Sequence, residues 1–150
     1  MKIRKFAFWV GAVLGCAALP VLAEGEQQTG AEPPPYTVVC SAEGGPCSVD
    51  KKTYIGWRTF HATCFQCHAQ DAVGSTFAPN LLERLKTVDH ARFLHSVRNG
   101  FQGQIGVMPA WKDDPNVAPH IEELYSYLRA RSDGVLPPGK PKRLKNTAQQ

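Results

Sequence analysis

Residues 64–68 read Cys-Phe-Gln-Cys-His. Two cysteines with two residues between them fit one turn of helix, so whatever they hold must lie against that turn and meet the next side chain as well. Three chemistries use such a pair: a redox dithiol, half of a zinc site, or the covalent anchor of a haem. A redox dithiol belongs to a βαβ setting, with its first cysteine opening a helix after a buried strand. Here an amphipathic segment precedes the pair, with no β-branched run before it. Zinc needs four ligands, and Cys40, Cys47, Cys64 and Cys67 could supply them. Their gaps are six, sixteen and two residues, and the first is wider than the usual two to four. The haem reading alone requires a histidine directly after the second cysteine, and His68 stands there. Two thiols add to the two porphyrin vinyl groups, and the following imidazole is directed under the iron. The motif therefore points to one covalently bound haem c, held by Cys64 and Cys67, with His68 as an iron ligand.

The other end of the sequence fits that chemistry. Lys2, Arg4 and Lys5 precede an uncharged apolar run from Phe6 to Leu22 that closes on Val21-Leu22-Ala23. This is the layout of a secretory signal peptide, with cleavage expected after Ala23 and a mature protein in the periplasm. The run is a little short of the about 20 apolar residues of a membrane span and carries Pro20. A retained anchor, or lipidation at Cys16 within Val13-Leu14-Gly15-Cys16, are the competing readings. The whole chain has 17 Lys and Arg against 13 Asp and Glu. Three of the basic residues lie in the leader and four in the last eleven residues, so the body between is slightly acidic. That excludes a nucleic-acid-binding reading, because no basic patch with interleaved aromatics is present. Nor does the sequence carry paired carboxylates, a nucleophile elbow or a phosphate loop, and no enzymatic activity is expected.

Residues 24–35 are polar and end in three prolines, as a linker does. The folded domain is expected over 36–136, followed by a mobile, basic, Pro-rich tail at 137–150. Asp50 can cap a helix over about 51–62, with Tyr54, Trp57 and His61 on one face. A short helix follows the Gly74–Asn80 loop at about 81–85. Asp89 or Thr87 caps another, with Phe93, Leu94 and Val97 aligned and Asn99-Gly100 at its end. Residues 100–119 are rich in glycine and proline and should be mostly loop. A last helix starts near Pro119 and aligns Ile121, Leu124, Tyr125 and Leu128 before fading at Gly134. The fold class is all-α, with long loops that would be costly unless something besides the polypeptide fills the middle.

Once the leader is removed, Met108 is the only methionine, in the loop Ile-Gly-Val-Met-Pro-Ala-Trp, 40 residues beyond His68. A thioether there would complete a His/Met pair, the usual arrangement for low-spin electron transfer. His61, His90, His95 and His120 compete for the position. An axial histidine normally donates its second ring N–H to a carbonyl. Pro79, in Ser-Thr-Phe-Ala-Pro-Asn-Leu, is placed to accept it or to serve simply as a turn proline. Cys40 and Cys47, the remaining mature cysteines, are expected to form a disulfide in an oxidising compartment.

Taken together, CFQCH, FAPNL, VMPAW and the last helix with ELYSYLRAR resemble the class I c-type cytochromes. That resemblance implies a small single-haem fold with loops wrapping the haem. In that fold a glycine and an aromatic on the first helix, matched by Gly56 and Phe60, cross an aromatic on the last, matched by Tyr125 with Leu128. More narrowly, KTYIGWRTFHATCFQCH, GSTFAPNL, MPAWKDDPNV and YLRARSDG are similar to cytochromes that accept electrons from periplasmic quinoprotein (PQQ-dependent) alcohol dehydrogenases. The likeness runs from Asp50 to Gly134; CSAEGGPC and the PPGKPKRLK tail depart from it. The implied function is a one-electron carrier, with such a dehydrogenase as donor and a downstream cytochrome or oxidase of the respiratory chain as acceptor. The alternatives are a haem enzyme or gas sensor with an open axial site, and a haem subunit of a membrane-anchored complex.

Overall fold

In the computed structural model, which describes residues 33–42, 44–104 and 106–145, Asp50 caps the first helix. The leader, Cys16 and the linker up to residue 32 lie outside the described residues. The Asp50 carboxylate accepts from the Thr53 amide at 2.9 Å and the Thr53 hydroxyl at 2.8 Å, satisfying a donor that the first turn leaves open. Helix α1 (Lys51–Thr59) does not stop at the CxxCH motif. It widens into a π turn over Phe60–Cys64 and resumes as α2 (Phe65–His68), so the haem motif is the end of one long helical run. The helix therefore runs past Ala62, its expected end. The extra residue of a π turn rotates the side chains of α2 about the axis relative to those of α1. The carbonyl of Trp57 accepts from the ring Nδ1 of His61 at 2.9 Å within this run.

Two further caps set the middle of the chain. The Asn80 side chain accepts from the amides of Leu82 and Glu83 to start α3 (Leu81–Arg84), and Asp89, not Thr87, caps α4 (His90–Asn99). Phe93 and Val97 face inward from α4. Gly100 ends it at φ 79°, and a Cβ there would lie 2.7 Å from the Met108 carbonyl oxygen. The next loop contains a two-residue hairpin, β3 (Phe101–Gln102) with β4 (Val107–Met108), which the composition did not suggest.

Helix α5 (Ile121–Ser132) packs across α1. The crossing depends on Gly56, where a Cβ would sit 1.8 Å from the Glu123 carbonyl oxygen. No side chain fits there without separating the helices. Beside the contact, the rings of Phe60 and Tyr127, both fully buried, lie 5.6 Å apart between centroids. The aromatic facing Phe60 is thus Tyr127. Tyr125 turns instead toward α4, against His90 and Phe93. Gly56→Ala should destabilise the protein by about 3 kcal/mol or more. Overpacking against backbone outweighs the roughly 1 kcal/mol that alanine adds to a helix. Denaturant midpoints of the two proteins measure it, and equal midpoints would refute the close crossing.

The segment after α5 is not free of the domain. Strand β5 (Lys142–Arg143) pairs in parallel with β2 (Ser48–Val49), which pairs antiparallel with β1 (Val38–Val39). Leu136 and Pro141 are buried on the way. The disulfide Cys40–Cys47 closes the β1–β2 turn, and the Cys47 carbonyl accepts from the Lys142 amide at 2.9 Å. So short a covalent loop contributes about 2 kcal/mol by the chain-entropy argument. Among the described residues no helix is long and apolar enough to cross a membrane.

Candidate haem-binding site

His68 ends α2 and is buried, while Cys64 is half-buried and Cys67 exposed. The two cysteines are not bonded to each other. Burial pushes the Cys64 thiol up to about 12, and the neighbouring Cys67 adds to the shift. A redox dithiol needs the opposite, a thiolate stabilised at neutral pH. Zinc fails on other grounds: Cys40 and Cys47 are already paired, and the described residues hold no cluster of three or more metal-binding side chains.

The surroundings of His68 suit a metal ligand. The histidine's Nδ1 lies 3.1 Å from the carbonyl oxygen of Pro79. A carbonyl can only accept, so Nδ1 carries the proton and Nε2 keeps its lone pair. Desolvation lowers the ring's pKa, against a smaller upward pull from the Pro79 bond, which favours the neutral, coordinating form. The loop that brings Pro79 there is tightly made. The Gly74 amide donates to the His68 carbonyl at 2.9 Å, the Ser75 hydroxyl donates to the Cys67 carbonyl, and the Ser75 amide donates to Ala78 O at 2.8 Å. Gly74 has φ 87°, and a Cβ on it would come within 2.5 Å of the Asn80 nitrogen, so only glycine closes this turn.

Met108 is half-buried on β4, opposite Phe101. Its hairpin touches the Pro79 loop through Gly106, where a Cβ would lie 2.8 Å from the Phe77 carbonyl oxygen. Beyond Met108, the Trp111 amide donates to Val97 O at 3.0 Å and pins the loop to the end of α4. The competing histidines are placed differently. His61 is bonded to Trp57 and stacked on its ring at 4.8 Å, and His90 pairs with Glu122 at 2.9 Å. His95 is exposed and His120 sits in the turn before α5. Phe65, Phe77, Phe101 and Val107 expose large apolar side chains on the motif and on the two loops. Free thiols, a neutral imidazole with one nitrogen open, a thioether and apolar walls fit a covalently attached haem.

Residues 52–128 match the family described as cytochrome c oxidase, cbb3-type, subunit III. The curated cytochrome c-553I of Paracoccus denitrificans is 37% identical over 122 residues, 78% of this chain and 51% of that protein. Cytochrome c-555 of Methylococcus capsulatus is 36% identical over 92 residues, 61% of this chain and 72% of that protein. The chain belongs to the c-type cytochromes. Its fold matches the crystal structure of the c-type cytochrome XoxG from Methylobacterium extorquens AM1, with TM-score 0.62 and 39% identity over 66% of this chain and 62% of that one. The chain spans about half the length of the Paracoccus relative it matches. As a c-type cytochrome it binds haem c covalently.

Sequence reasoning missed the segment between His68 and Gly74. Ala69, Asp71 and Ala72 all have positive φ, at 60°, 61° and 67°, an unusual run of non-glycine residues. Aspartate tolerates that region better than most residues, which was the one available signal. It also missed Arg131, buried on α5 with its Nη1 donating to Leu136 O at 2.6 Å.

Proposed function

We propose that Cys64 and Cys67 carry the haem through thioethers, that His68 and Met108 are its axial ligands, and that Pro79 orients His68. The observation that carries this is the 3.1 Å contact from His68 Nδ1 to Pro79 O, which leaves Nε2 as the coordinating atom at the end of a CxxCH turn. When bound, the haem supplies a one-electron iron couple. The residues around it then have one task, to hold both ligands in place with little rearrangement between oxidation states. The tight Gly74 turn and the pinned Met108 loop suit that task.

In the same reading the leader 1–23 exports the protein to the periplasm, where it accepts electrons from a quinoprotein (PQQ-dependent) alcohol dehydrogenase and passes them to a cytochrome or oxidase of the respiratory chain. The likeness of the FAPNL and MPAWKDDPNV loops to such acceptors supports the donor, as do the exposed apolar side chains of Phe65 on the motif, Phe77 on the FAPNL loop and Val107 just before Met108. An encounter of this kind is small, under about 1,200 Å², and steered by charge, so that release does not limit turnover.

The test mixes oxidised cytochrome with quinoprotein dehydrogenases and an alcohol and follows haem reduction as salt is raised. Rapid reduction, changing several-fold as the Debye length falls from roughly 30 Å to 10 Å, is expected. Reduction by another periplasmic donor, with none by quinoprotein enzymes, would remove the donor and leave the carrier. The family description matched by residues 52–128 favours a second reading, a haem subunit of a membrane complex. Recovery of the protein in a detergent-solubilised oxidase would support that one.

A further inference from the structure

Three elements distant in sequence meet just after His68. Asp71 accepts from the Gly139 amide at 2.9 Å through Oδ1, and its backbone carbonyl accepts from Arg131 Nη2 at 3.3 Å. The same guanidinium holds Leu136 O, so one buried arginine joins α5, the segment following it and the loop following His68. Burying a cation is costly unless it is hydrogen-bonded, and the carbonyls of Leu136 and Asp71 supply those bonds here. Positive φ at non-glycine residues is strained and persists only where the surroundings over-determine it. Here they do: Asp71 is held at both its side chain and its backbone, and Ala72 beside it is fully buried. This short segment spans from His68 to Gly74, whose amide returns to the His68 carbonyl and opens the turn carrying Pro79. Shifting Asp71 therefore shifts the acceptor of the histidine's own hydrogen bond.

We propose that Asp71, clamped by Arg131 and the Gly139 amide, is a positioning residue for the axial histidine, so that the C-terminal segment tunes the electron-donating strength of His68. The inference rests on His68 as an iron ligand and is independent of which donor reduces the protein. A ring N–H donated to a well-placed carbonyl makes the imidazole a stronger base and favours oxidised iron. Loosening Pro79 favours the reduced state.

Two variants separate contact from backbone strain. Asp71→Gly accepts φ 61° freely but removes the acceptor, whereas Asp71→Asn keeps an Oδ1 and tolerates the same backbone. Spectroelectrochemical titration of the holoprotein should show a roughly threefold higher reduced-to-oxidised ratio at fixed potential for Asp71→Gly, about 30 mV at 59 mV per tenfold. Asp71→Asn should match the unaltered protein. No rise in Asp71→Gly, or an equal rise in Asp71→Asn, overturns the proposal. If Asp71→Gly fails to take up haem, amide hydrogen exchange on the unaltered holoprotein decides. Gly139 and Gly74 should exchange with one common opening free energy, and an unprotected Gly139 beside a protected Gly74 overturns the clamp. A holoprotein whose spectrum lacks histidine-ligated low-spin iron would instead refute the ligand assignment beneath it.

Discussion

Replacing both Cys64 and Cys67 by alanine is expected to yield a protein of bare polypeptide mass after acid–acetone extraction, where the unaltered protein retains one haem mass. The expectation rests on what else could hold the group. Without thioethers only coordination and apolar contact remain, and acid protonates the imidazole while the solvent removes the apolar advantage. The loss should also reach the fold. The α1–α5 crossing, with Gly56 seated on the Glu123 carbonyl and Phe60 on Tyr127, needs no cofactor. The loops do. Residues 73–80, 100–104 and 106–119 are closed by turn and loop hydrogen bonds, and fixing backbone costs about 1–2 kcal/mol per residue. Side chains such as Phe77, 70% exposed, and Val107, 69% exposed, return nothing against that cost from the polypeptide alone. Circular dichroism of the double variant should therefore keep helical signal while its thermal transition broadens and falls by well over 10 °C, beyond the about 4–8 °C that a 1 kcal/mol loss produces in a domain of this size. Haem that survives extraction of the double variant would refute thioether attachment at these cysteines.

What could be read from residues alone was what depends on neighbours in sequence. Asp50 and Asp89 cap because a carboxylate meets an amide three residues on, and α4 ends at Gly100 because the chain reverses there at positive φ. The haem motif is similarly local, since its spacing is its chemistry. The misreadings share one cause. The resemblance puts Tyr125 at the helix crossing, and the 0-3-4-7 stripe agrees with that only if α5 buries a single face. In the structure Ser126, Tyr127, Ala130 and Arg131 are buried too, and the segment that begins at Leu136 bonds back to Ala130 and Arg131. That segment reads as mobile because it is charged and proline-rich. Its attachment to β2 uses backbone amides and carbonyls, such as Leu144 N to Val49 O at 2.8 Å, while the Lys142 and Arg143 side chains stay exposed. Composition cannot report such a bond. The π turn escaped for the same reason, being a change of hydrogen-bond register and not of side-chain pattern.

Met108→Ala is expected to lower the reduction potential by on the order of 0.2 V, a fraction of the about 0.8 V that axial ligands span. A neutral thioether stabilises reduced iron relative to oxidised, so removing it favours the oxidised state. Collapse of the loop should not obscure the effect, because the backbone around Met108 is fixed on both sides. β4 is paired with β3, the Met108 carbonyl lies against Gly100, and Trp111 and Lys112 bond back to Val97 and Arg98. Substitution by another protein ligand is opposed by the same geometry. His61 is tied to the Trp57 carbonyl within its own helical run, and His90 is paired with Glu122 at 2.9 Å. Water is then the expected replacement. The oxidised variant should lose the far-red band of a sulfur–iron bond and gain high-spin character, and the reduced variant should bind carbon monoxide where the unaltered protein should not. A spectrum unchanged by the substitution would transfer the sixth position to a histidine, and His95 and His120, neither tied to a carbonyl or carboxylate among the described residues, would be the next to replace.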